Sequence, residues 1–132
     1  MDIEKQIAYW QHSAVEDWDV AQDLIEQGRA RHGLFFAHLT LEKLLKAHVC
    51  HATQDLAPRT HNLVRLAELT ALAFSAEQID LLADMNAFNL EGRYPDSLTL
   101  PPSMAEATDY LRRTASVYTW LIQQLSTPSK NI

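Results

Sequence analysis

The sequence predicts an all-α fold, an antiparallel bundle of about five helices, three long and two shorter. Three features carry that expectation. Apolar residues recur at three- and four-residue steps through most of the chain. Two capping-box signatures, Ser75 with Gln78 and Ser103 with Glu106, mark helix starts. No segment alternates apolar and polar residues as a half-buried strand would.

In order along the chain, the first helix is expected over residues 3–27, with Ile7, Trp10, Ala14, Trp18, Ala21, Leu24 and Ile25 on one stripe. Gly28 stops it, and residues 29–33 read as a short basic connection. Residues 34–51 form the helix around which the others must pack. Leu34, Ala37, Leu41, Leu44, Leu45 and Val49 share one broad face, which Phe36 and Ala47 widen. Glu42, Lys43 and Lys46 are left as the wet strip, and a helix so apolar belongs in the middle of a bundle. His38 and His48 project within its apolar arc. Pro58 breaks the helical pattern, and Thr60 reads as the cap of a third helix carrying Leu63, Val64, Leu66, Ala67 and Leu69. Ser75 opens a fourth helix with Ile79, Leu82 and Met85 inward. A long connection over 91–102 leads to the last helix, striped by Ala107, Tyr110, Leu111, Thr114, Val117, Leu121 and Leu125. Residues 126–132 read as a flexible tail after a single helical domain spanning 1–125.

Composition narrows the function classes. A chain of 132 residues with 47% hydrophobic content can build a core without disulfides or a metal. Its net charge of -6 disfavours tight, non-specific binding to a long nucleic acid, although a local basic patch is compatible with it. The lone Cys50 excludes an internal disulfide and points to a reducing, cytoplasmic compartment. The first residues hold no apolar signal core, and no run approaches a membrane span.

Chemistry is expected first in the 91–102 connection. Gly92 and Pro95 would hold Arg93, Tyr94 and Asp96 in a defined arrangement, with the Arg93 fork suited to a phosphate and Tyr94 to stacking on a base. The plainer reading is that Arg93 and Asp96 tie the loop to neighbouring helices. His38 precedes Glu42 by one helical turn, so the two can touch. They are either a satisfied core pair or, with Asp17 from the first helix, the lining of a ligand cleft. Lys43 and Lys46 are either a solvated strip or contacts for an anionic ligand or acidic partner. His48, Cys50 and His51 lack a fourth zinc ligand nearby, so no metal or cofactor is expected. His61 reads as a structural contact closing the Pro58 loop.

Four segments together carry a resemblance: Ala14-x-x-Asp17-x-x-x-Ala21, His38-Leu-Thr-Leu-Glu-Lys-Leu-Leu-Lys-Ala47, Pro58-Arg-Thr-His-Asn-Leu63 and Asn89-Leu-Glu-Gly-Arg-Tyr-Pro-Asp96. In this order and spacing the chain resembles the HEPN domains over roughly residues 8–125. The resemblance implies a homodimeric helical bundle associated with nucleotides or RNA. It also implies a separate minimal nucleotidyltransferase as partner, some such pairs behaving as toxin and antitoxin. The ribonuclease branch of that family carries Arg, four to six residues, then His. Here Arg93 fits, but Leu98, Thr99 and Leu100 stand where His would fall, and no histidine follows His61. A general base is therefore missing from the usual place. A non-catalytic nucleotide- or RNA-associated module is expected. The alternatives are an RNA-cleaving toxin with a variant site at Arg93 and a purely structural dimeric subunit.

Overall fold

A computed structural model describes residues 2–89 and 102–126. It contains α1 (Ile3–Glu26), α2 (Ala30–Thr53), α3 (Leu63–Glu68), α4 (Ala76–Met85) and α5 (Met104–Ser126), with a 3-10 turn at Asn86–Asn89 before the undescribed segment. No strand occurs among the described residues. The fold is an all-α bundle, as the sequence pattern predicts. The Arg93, Tyr94 and Asp96 expectations lie outside the described residues.

Asp2 starts α1, its carboxylate accepting the Lys5 amide at 3.2 Å. Gly28 ends it at φ +80°, a backbone angle that a side chain disfavours. The Arg29 amide then reaches Leu24 O at 2.9 Å and the Gly28 amide reaches Ile25 O at 3.0 Å, the Schellman arrangement. This tight reversal sends α2 back along α1, and the two helices form the principal packed pair of the bundle.

Helix α2 begins at Ala30, four residues earlier than the periodicity predicts. Gly33 is a packing residue, not a breaker. A Cβ there would lie 2.5 Å from Ile25 Cδ1, so only glycine lets the two helices approach this closely. From there α2 runs through the centre of the molecule, packed against α1, α3, α4, α5 and the 3-10 turn. Leu34, Leu41, Leu44 and Leu45 are fully buried, each stabilising the fold by about 1.5–3 kcal/mol relative to exposure. The expected wet strip is corrected. Glu42 is 5% and Lys46 6% exposed, because α1 and the segment before α3 close over them, and only Lys43 stays partly open.

Asn62, not Thr60, caps α3: its side chain accepts the Arg65 amide at 3.1 Å. Thr60 Oγ1 instead accepts the Asn62 amide at 3.2 Å. Asn86 locks this start to the 3-10 turn, accepting the Leu63 amide at 2.8 Å and donating to Asn62 Oδ1 at 3.2 Å. Both expected capping boxes form. Ser75 and Gln78 exchange bonds of 2.8 and 3.1 Å, and Ser103 and Glu106 bonds of 2.9 and 3.0 Å. Helix α5 is fastened to α2 by His48, whose Nε2–H donates to Leu121 O at 2.9 Å, and to α1 by Trp18 stacked on Tyr118 with centroids 4.9 Å apart. Trp18 is core, whereas Trp10 and Trp120 are half-buried.

Candidate functional site

Among the described residues a seam of charge interrupts the apolar interior, built on the side of α2 that faces α1 and the 58–62 segment. The helical repeat puts His38, Glu42 and Lys46 one turn apart on a single line of α2. Lys46 Nζ donates to Glu42 Oε2 at 3.0 Å, with both side chains less than a tenth exposed. Above Lys46 lies the Trp10 ring of α1, 5.3 Å from Nζ to centroid, which offers the ammonium an electron-rich face in place of water.

His61 approaches the same carboxylate from the other side. Its Nδ1–H donates to both Glu42 oxygens at 3.1 Å, while the side chain remains 48% exposed. His38 supports this from within. Its Nε2–H donates to His61 O at 3.1 Å, which leaves Nδ1 without a hydrogen bond, 3.8 Å from Glu42 Oε1. Burial holds the His38 imidazole below the ordinary histidine range, a shift that the Glu42 charge and the bond to His61 O only partly oppose.

A second ion pair continues the seam toward α1. Lys43 Nζ lies 2.7 Å from Asp17 Oδ2 and donates to Ser13 Oγ at 2.7 Å. The approach to Oδ2 is off the hydrogen-bond direction, so the contact with Asp17 is an attraction between charges more than an aligned bond. The seam thus comprises two groups carried by neighbouring positions of α2: His38, Glu42 and Lys46 with His61, and Lys43 with Asp17. Two carboxylates face two ammonium groups. With its histidines neutral the cluster has no net charge.

The comparison with known proteins is informative at the level of family. A family model described as HEPN domain matches residues 7–125. The chain belongs to the HEPN family. Two solved structures have the same fold. TT1696 from Thermus thermophilus superposes with a TM-score of 0.76 at 17% identity, over 89% of this chain and 97% of that one. ST0689, an archaeal HEPN homologue, gives 0.69 at 18% identity, over 89% of this chain and 96% of that one. At such identity these likenesses speak for the fold alone. No curated protein matches the chain.

Of the eight candidate residues read from the sequence, the HEPN chain brings His38, Glu42 and Lys46 into one contact group and pairs Lys43 with Asp17. Arg93, Tyr94 and Asp96 belong to the undescribed segment. His61 is the residue sequence reasoning assigned elsewhere. Its partner Glu42 is 19 positions away, beyond any helical repeat, and only its place in the Pro58-Arg-Thr-His-Asn-Leu63 segment hinted at a wider role. Among the described residues no group of three His, Cys, Asp or Glu side chains is arranged to hold a metal ion. None of the described helices is long and apolar enough to cross a membrane.

Proposed function

We propose that this HEPN protein is a non-catalytic, nucleotide- or RNA-associated binding module. It works as a homodimer beside a minimal nucleotidyltransferase chain, in a pair of toxin–antitoxin type. The observation that carries the binding reading is the buried seam around Glu42. Taking charges out of water costs several kcal/mol per ion, and a buried pair seldom stabilises a fold more than well-packed apolar residues would. Buried groups with a shifted pKa beside a specific charge, as His38 is beside Glu42, concentrate at functional sites. Family membership supports the class of ligand and partner.

Within this reading the division of labour follows from the charges. Lys43 and Lys46 are already matched by Asp17 and Glu42. On this reading they brace the site and are not its direct phosphate contacts. Arg93 is the proposed anion contact, with Tyr94 for base stacking and Asp96 as a further candidate contact.

The test is binding of ATP and of a short single-stranded RNA, measured by calorimetry on the full chain and on Arg93→Ala. Affinity should fall about tenfold or more in the variant, the loss expected for one charge-assisted contact. Its helical circular-dichroism signal should not change. If neither probe binds the unmodified protein, or the variant unfolds, the reading fails.

A further inference from the structure

His61 is the most exposed member of the seam, 48% against 21% for Lys43 and 14% for Asp17. Resting on the nucleotide- and RNA-associated reading above, we infer that His61 is a proton-linked contact for a phosphodiester group. Its Nε2 meets the ligand, and protonation of the ring switches the contact on.

The geometry assigns the two ring nitrogens opposite tasks. Nδ1–H is committed to Glu42, at 3.1 Å from each carboxylate oxygen. In a five-membered ring Nε2 then points away from that buried partner. It has no hydrogen bond among the described residues, on a side chain 48% exposed. The ring cannot easily turn away, since Glu42 grips one edge and His38 Nε2–H holds the His61 carbonyl at 3.1 Å. Neutral His61 presents a lone pair at Nε2, which repels a phosphodiester oxygen. Protonated, it presents an N–H, and the ring bridges Glu42 on the inside and an anion on the outside.

Local charge favours the same ligand. In a chain of net charge -6, residues 58–65 contain Arg59 and Arg65 and no acidic side chain. Arg59 forms no ion pair among the described residues, and the Arg65–Glu68 pair at 3.3 Å is exposed and easily exchanged. From α2, Glu42 and Lys46 bring opposite charges to the same place, and burial disfavours the charged form of His38. From the 3-10 turn Asn86 is uncharged. A phosphodiester is the class that fits: an anion with acceptor oxygens and no proton of its own to give.

The probe is adenylyl-adenosine, whose single diester charge is constant across the histidine range. Its affinity for the full chain is followed by NMR from about pH 5.5 to about pH 8. Binding should weaken about tenfold as pH rises through that interval, one charge-assisted hydrogen bond being lost. The His61 ring signals should shift more than those of the other histidines. His61→Gln keeps the backbone carbonyl that His38 needs and an amide for Glu42, so it should fold. Its binding should be weak and flat with pH. Equal, equally pH-dependent binding by the two proteins, or unmoved His61 ring signals in the complex, overturns the inference and leaves the wider binding reading standing. No binding by either folded protein at any pH overturns both.

Discussion

Glu42 and His61, 19 residues apart, are joined by a forked hydrogen bond of 3.1 Å to each carboxylate oxygen, and this contact ties α2 to the entry of α3. Lys46 takes the remaining share of the same carboxylate at 3.0 Å. Buried charges so matched are sensitive to the loss of one partner. Lys46→Met should therefore destabilise the protein by about 3–5 kcal/mol, leaving Glu42 with only a half-exposed histidine as partner. Urea unfolding measures this. A change below about 1 kcal/mol would mean that water already screens the pair.

Acid should weaken the fold in a defined window. Burial depresses the pKa of both His38 and His48 below the ordinary value of 6.5. The unfolded chain takes up these protons as pH falls through 6.5, while the folded chain takes them up only at lower pH. Their contribution is thus fully present above the unfolded value and is lost as pH falls toward the folded ones. The slope is at most about 1.4 kcal/mol per pH unit for each histidine. His48→Gln can still donate to Leu121 O and cannot titrate, so its stability should vary less with pH. Unfolding curves at about pH 7.5 and about pH 5 check both statements.

Gly33→Ala adds one methyl group where α1 and α2 touch. It would meet Ile25 Cδ1 at 2.5 Å, Cγ1 at 2.7 Å and the Ile25 backbone nitrogen at 3.2 Å. Helix propensity favours alanine by about 1 kcal/mol, but overpacking a buried contact costs about 1–3 kcal/mol. The clash should win because the backbone nitrogen cannot rotate aside. A thermal midpoint equal to or above that of the unmodified protein would show that Ile25 escapes to another rotamer.

How legible all this was in the sequence differs by feature. Helices and capping boxes came through because they depend on neighbours three and four positions apart, as with Ser75 and Gln78. The start of α2 did not. Gly33 looks like a breaker when only local freedom is considered, and its reason lies on Ile25 of another helix. Glu42 and Lys46 looked solvated because periodicity gives an angle around α2 and says nothing of what covers it. Trp10 and His61 do the covering. The candidate seam was half legible on the same grounds: His38, Glu42 and Lys46 share one helix, whereas the contribution of His61 exists only in three dimensions.

On the proposed reading, the seam is kept for binding and not for stability. This is tested most directly by replacing both charges at once, in Glu42→Met with Lys46→Met. The double variant should be as stable as the original or up to about 4 kcal/mol more stable, since long apolar side chains fill the same space without a desolvation penalty. The same protein should bind ATP and short RNA at least about tenfold more weakly by calorimetry. A double variant that binds as well as the unmodified chain would contradict that reading.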